Sequence, residues 1–305
     1  MGKISFNRAG LAGLLCVLAS CAEDSPGRGA VVYPGTQQVR YEGTLVAEDG
    51  GRLHAEGIWR FYWRNGQVQA LGDFRSGEPP SPADQLDDHT QVPLEGRAGH
   101  WREWNSSGVL QSEGCYALGK RAGLWLSWYD DGKKHMQGRY VSGKESGEQL
   151  VWHENGVLAL QGTYELGLRD GSIREWDESG TLRKQASWSD GVLEGLCTLW
   201  DEKGRRREQA QYKHGLLHGT RGLWNEKSEL TCVSRYVAGE LEGEEELYHA
   251  NGQVRVRGCY EHGEPVGTWK AWDEDGVEIW SREERAPRGD RMARGENPPA
   301  SEGGN

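Results

Sequence analysis

The sequence predicts an all-β protein: an elongated single-layer antiparallel sheet, or β-hairpin solenoid, of about nine 24-residue repeats. Composition is the first observation behind this. There are 45 Gly and 14 Trp against 3 Phe in 305 residues, and 35% of the chain is hydrophobic, with a mean hydropathy of −0.79. Gly at about twice its average usage with scarce aliphatics excludes an ordinary helix-rich enzyme domain. Collagen is excluded because Gly does not recur every third residue, and the aromatic content opposes full disorder. The second observation is a period. Gly99, Gly123, Gly147, Gly171, Gly195, Gly219, Gly243 and Gly267 follow one another at 24-residue intervals without insertion or deletion, and a further unit begins at Gly57. The third is turn chemistry inside each unit, such as Asp130-Asp131-Gly132 and Asn251-Gly252 between runs rich in aromatic and branched residues.

Taken in chain order, residues 1–20 form an export signal. Lys3 and Arg8 supply the positive region and Ala9 to Ala19 an apolar run, too short to span a bilayer as a helix. The run ends Leu18-Ala19-Ser20-Cys21, which resembles a bacterial lipobox. That resemblance implies acylation of Cys21, cleavage before it, and a lipid-anchored chain in the bacterial cell envelope. Ala22 rather than Asp after the Cys implies the outer membrane. Residues 21–38 are expected to be a flexible tether and 39–56 a divergent capping hairpin.

The repeat region is residues 57–280. With each anchor Gly as position 0, position 5 is aromatic in all nine units, with Trp104, Trp128, Trp152, Trp176, Trp200 and Trp224 forming an unbroken tryptophan run. Position 15 is small, from Gly72 and Gly114 to Ala210 and Ser234. Position 17 is aromatic and position 20 is Gly. A hairpin turn near position 8.5 and a return near 20.5 set position 17 against position 0 on both neighbouring strands, and position 15 against the often-Trp position 2. Side-chain alternation then puts positions 2, 4, 11, 13, 15 and 17 on one face, the core face. Positions 3, 5, 12, 14 and 16 take the other, polar face. Either a bulge returns the position-5 rings to the core, or they form an exposed aromatic column that is the candidate binding surface.

An acidic, Pro-containing insertion at 78–95 interrupts the first repeat and reads as a solvated loop. A polar tail at 281–305 reads as disordered. Removing Lys3 and Arg8 with the signal takes the net charge from −11 to −13. That sign argues against nucleic acid, whose backbone requires clustered Lys and Arg. The four cysteines outside the signal, Cys115, Cys197, Cys232 and Cys259, occupy positions 16, 2, 13 and 16 and are too far apart on a flat sheet to pair. His153 and His249 share position 6 but lie four repeats apart, and His214 and His218 flank a return turn. No nucleophile, metal or phosphate-loop motif is present, so no catalytic residue, metal or cofactor is assigned.

The units Gly123 to Gly147 and Gly195 to Gly219 carry Gly-x-Trp or Gly-x-Cys entries, a Trp at position 5 and Gly-x-Tyr or Ala-x-Tyr closings. This pattern resembles the MORN repeat, in the bacterial YwqK-like variant. The resemblance implies a sheet of successive hairpins used as an interaction or spacing scaffold. The resulting expectation is a non-catalytic, membrane-anchored scaffold for an envelope protein or polysaccharide. A second expectation, also from the resemblance, is an antitoxin or immunity protein occupying a partner toxin.

Overall fold

The computed structural model describes residues 27–33, 35–47, 53–77, 92, 94 and 96–284. The expectations for the signal, for Cys21, for most of the insertion and for the tail beyond 284 lie outside these residues. Twenty-one strands and no helix occur among the described residues, and the strands belong to one antiparallel sheet. The chain divides into two compact units, Met1–Leu182 with Trp188–Gly191, and Arg183–Ser187 with Val192–Asn305.

Each repeat is a hairpin closed by a five-residue turn. In the Asn105 turn, Asn105 N–H donates to Val109 O at 2.9 Å and Gly108 N–H to Asn105 O at 3.0 Å. The Gly at position 9 has φ of 83° there and stays positive in every other repeat, with Ser228 at 66° the only non-Gly. Successive hairpins are joined by two-residue returns in which both central residues have positive φ, such as Leu118 at 50° and Gly119 at 71°. Such turns match the right-handed twist of the strands they join.

Within each hairpin the expected register holds from position 0 opposite 17 to position 4 opposite 13: Gly99 faces Tyr116 and Glu103 faces Ser112, and Gly195 faces Tyr212 and Leu199 faces Glu208. It then shifts, so that position 5 faces 11 and position 12 is the extra residue, as in Trp200 opposite Arg206. This bulge corrects the face assignment of two positions. Position 11 moves to the polar face, where Lys134 Nζ bonds Gln137 Oε1 at 3.1 Å. Position 12 moves to the core face, where the His135 and Tyr129 rings lie 4.5 Å apart.

Between hairpins, position 15 faces position 2 as expected, with Gly114 opposite Trp125 and Ala210 opposite Arg221. Position 17 does not face the next position 0. It faces position 22, two residues before it: Tyr116 opposite Arg121 and Tyr164 opposite Arg169. The anchor Gly sits in this second bulge with φ between 62° and 101° in all nine repeats. Its Gly identity is therefore set by a left-handed backbone, not by an aromatic lying across it.

Close cover of glycine occurs instead at position 15. A Cβ built on Gly72 would lie 2.0 Å from the Trp101 ring, and one on Gly114 2.4 Å from the Trp125 ring. Where position 15 carries a side chain, the opposing residue is not aromatic: Ala210 meets Arg221, and Ser234 Oγ bonds Glu245 at 2.7 Å. In the first unit the core face is an aromatic layer of Tyr41, Trp59, Phe61, Phe74, Trp101, Tyr116, Trp125 and Tyr140. Edge-to-face contacts such as Phe74 with Trp101 at 5.1 Å and Tyr116 with Trp125 at 5.0 Å run through it. The second unit fills the same face with half-buried Leu199, Leu223 and Leu247 and with polar pairs such as Arg221 with Glu208 at 2.7 Å.

Both ends of the repeat region extend further than the sequence reading placed them. Gly27–Val32, expected within the tether, is a strand paired with Val39–Ala47. The hydroxyl of Tyr33 just after it donates to Tyr62 O at 2.6 Å, fixing the strand to the first repeat. Glu278–Glu284, partly assigned to the tail, is the second strand of the ninth hairpin and pairs with the strand ending at Trp272. Glu284 stands at position 17 where other repeats have an aromatic, but ladder pairing uses only backbone groups, so the strand persists.

Candidate functional site

The position-5 tryptophans stay on the polar face. Neither sequence alternative describes them fully, because the bulge is present but displaces the residues opposite, not the rings. Trp104, Trp128, Trp152 and Trp176 in the first unit, and Trp200 and Trp224 in the second, are all half-buried. Each packs beside the position-11 side chain the bulge delivers, so Trp104 faces Leu110 and Trp152 faces Leu158. The Trp224 ring lies along its own strand over Gly222, within 2.7 Å of where a Cβ would stand. Cations reach over some rings from the preceding hairpin: Lys134 Nζ is 5.1 Å from the Trp152 centroid and the Arg206 guanidinium 5.1 Å from that of Trp224. Such contacts strengthen when partly desolvated.

Where position 5 is tyrosine, the hydroxyl is tied to a carboxylate. Tyr62 donates to Glu42 Oε1 at 2.7 Å. Tyr248 donates to Glu246, and burial together with that bond pushes the phenol up to about 12. Within each unit the position-5 residues thus form an aromatic ridge flanked by aliphatic and cationic side chains, able to stack on a flat apolar or π surface.

The histidines that the sequence offered as scattered candidates serve the turns. At position 6, His153 Nε2 lies 2.9 Å from Trp176 O and His249 Nε2 lies 2.8 Å from Trp272 O. A carbonyl only accepts, so Nε2–H is the donor in both. Tyr129 makes the same bond to Trp152 O at 2.6 Å, and Trp63 Nε1 to Trp104 O at 3.0 Å. In these repeats an Asn or Asp at position 8 holds the turn, as Asn155 Oδ1 does by accepting from Val157 N–H at 2.9 Å. In the others an Asn or Asp at position 6 caps its own turn, as Asp201 does towards Lys203 and Arg205 N–H. Burial works against the charge on Asp201, but the Arg205 side chain and the two N–H groups outweigh it and hold the carboxyl down to about 2.

His214 and His218 do not converge. His214 N–H bonds Glu194 at 2.8 Å, whereas His218 Nδ1 faces Ala238 N–H at 3.4 Å. The four described cysteines are free thiols. No group of three or more potential metal ligands gathers among the described residues.

Position 22 is what the sequence reading missed. Arg97 lies over Trp101 at 4.2 Å and Tyr116 at 5.0 Å, Arg121 over Trp125 at 4.6 Å, and Arg169 over Trp188 at 4.8 Å. The signal that could have found it is the recurrence of Arg two residues before an anchor Gly.

Comparison with known families fits this geometry. Residues 55–75, 97–117, 145–166 and 241–262 match the MORN repeat variant family. Each matched segment starts at position 22, two residues before an anchor Gly, and spans one hairpin. These four segments are similar to MORN repeat variant units, and each is a hairpin of the antiparallel sheet. No curated protein matches the chain.

Proposed function

We propose that this chain is a non-catalytic scaffold, tethered to the bacterial envelope through lipidated Cys21, that presents its repeat sheet to an envelope protein or polysaccharide. The tryptophan column is the observation that carries the binding part. Within the first unit, one half-exposed Trp recurs at the same register position of four hairpins, Trp104 to Trp176. Two strands separate successive rings, a spacing of about 9.6 Å. An extended ligand with a repeating flat or apolar element would meet that spacing. The anchoring part rests on Leu18-Ala19-Ser20-Cys21.

Two measurements test the reading. In fractionated cells, globomycin should cause a larger precursor to accumulate, and Cys21→Ala should leave the membrane fraction. An unchanged size with Cys21→Ala still membrane-bound refutes the anchor. A photocrosslinking amino acid at position 152 should trap a discrete partner, while the same probe at exposed Leu166 should not. Equal trapping, or none, refutes the column as the contact surface.

A further inference from the structure

The aromatic layer on the core face has one gap. At position 4, six repeats place an apolar group such as Phe61, Val151 or Leu199 and three a polar one, Glu103, Ser127 and Glu175; the gap lies at Glu103. The opposite residue is Ser112, whose hydroxyl donates to Glu103 Oε2 at 2.9 Å. Arg97 Nη1 holds the other oxygen at 2.8 Å and also bonds Tyr116 Oη at 3.0 Å, while its Nη2 bonds Val92 O at 2.9 Å. Arg97 is 2% exposed. A buried cation with these partners and two aromatic faces is rigid.

The gap is a cleft of about 550 Å³ wholly within the first unit, a size ordinary for ligand sites. Trp63 and Tyr116 supply aromatic wall, Trp104 stands at the border, and Gln69 and Gln111 supply amides. Gln69 makes no hydrogen bond among the described residues, and Gln111 makes only a long one, 3.4 Å to Tyr129 O. Arg121 closes one side and lies over the Trp125 and Tyr140 rings. Among the described lining residues Arg97 is paired with Glu103, so Arg121 is the cation left to meet a ligand, in a chain of net charge −11.

We infer that this cleft binds a short glycan segment bearing a carboxylate, such as a uronic-acid unit. A sugar ring has C–H faces that stack on Trp and Tyr, and neighbouring hydroxyls that both donate and accept. A planar amide such as Gln69 or Gln111 matches a pair of such hydroxyls, because it carries donor and acceptor side by side. The Arg121 guanidinium presents the fork that a carboxylate fits. A phosphate-rich ligand would call for several donors free of carboxylate, and Arg97 is already committed to Glu103. The inference does not depend on the lipid anchor, and of the tryptophan column only Trp104 borders the cleft.

The test uses the purified chain lacking only residues 1–21, with a hyaluronan tetrasaccharide as the acidic probe and chitotetraose as the neutral one. Tryptophan fluorescence and calorimetry should show saturable binding of the acidic probe, at least tenfold tighter than the neutral one. Arg121→Met keeps an apolar stem over Trp125. It should weaken the acidic probe about tenfold, the usual scale for a charge-assisted contact, and flatten its salt dependence. Gln69→Ala removes no side-chain hydrogen bond among the described residues, so it should fold as the parent does. It should weaken binding of both probes. Absence of saturable binding at millimolar probe overturns the inference. So does equal binding of both probes, and so does affinity unchanged in both variants. These outcomes leave the fractionation and crosslinking results untouched, so failure of the cleft and failure of the scaffold reading are told apart.

Discussion

Gly114→Ala is the sharpest test of how this sheet is held together. The added methyl would stand 2.4 Å from Cδ2 and Cε2 of Trp125, where carbon atoms prefer about 3.5–4.0 Å. The ring cannot step aside freely. Trp125 is 2% exposed, its Nε1–H donates to Cys115 O at 3.0 Å, and the Arg121 guanidinium lies 4.6 Å from its centroid. Moving the ring forfeits that bond, about 1 kcal/mol, and adds overpacking of about 1–3 kcal/mol. The substitution should therefore cost about 2–4 kcal/mol. In a Trp125→Ala background the obstruction is gone, and Ala in a strand interior is favoured over Gly by about 0.5–1 kcal/mol. The double-mutant cycle should show a coupling of about 3 kcal/mol. Gly123→Ala is the control: its Cβ meets open space, but its φ is 71°. It should cost about 1–2 kcal/mol whether or not Trp125 is present. Repeats open semi-independently, so the readout is the opening free energy from native-state hydrogen exchange over residues 110–128. A Gly114→Ala cost that is the same in both backgrounds would refute the ring-over-glycine account.

Three further outcomes follow from the turns. Leu118 is 96% exposed with φ of 50°, so Leu118→Asn, which tolerates that conformation, should raise stability by about 1 kcal/mol; no gain in a urea titration would contradict the turn assignment. His153→Ala should cost about 1 kcal/mol through loss of the bond to Trp176 O, while His153→Tyr, copying Tyr129, should restore most of it in thermal melts. Asp201 titrates at about 2, below its unfolded value of about 3.9, so the stability it contributes is present above the unfolded value and is lost as pH falls through about 2. Carboxyl NMR should show this low value moving upward in Arg205→Ala, and an unshifted titration would argue against the Arg205 contact.

The register was half legible. Pairing of positions 2 and 15 follows from spacing alone, because two turns half a period apart leave little freedom, and the substitution pairs agree with it. The bulges did not follow from spacing. A uniform meander assigns position 17 to Gly on both sides, and only the left-handed backbone at Gly99 or Gly195 diverts it to position 22 on one side. For the same reason the sequence could name Trp104 to Trp224 as a column but not decide which way the rings pointed. The Arg97 cleft was hidden further, since it joins Glu103, Ser112, Gln69 and Arg121 from four different strands.

What the sequence by itself determined is the repeat: its length, its turns, its two faces and the columns of Gly and Trp, all of which are local or nearest-neighbour properties of a hairpin. What only the tertiary structure decided is how the columns are used. A one-residue bulge reverses the face of everything on one side of it relative to the other, so it sent position 11 out to the tryptophans and brought position 12 in. The ends of the sheet were settled the same way, because backbone pairing accepts Gly27–Val32 and Glu278–Glu284 even where the side-chain columns have lapsed.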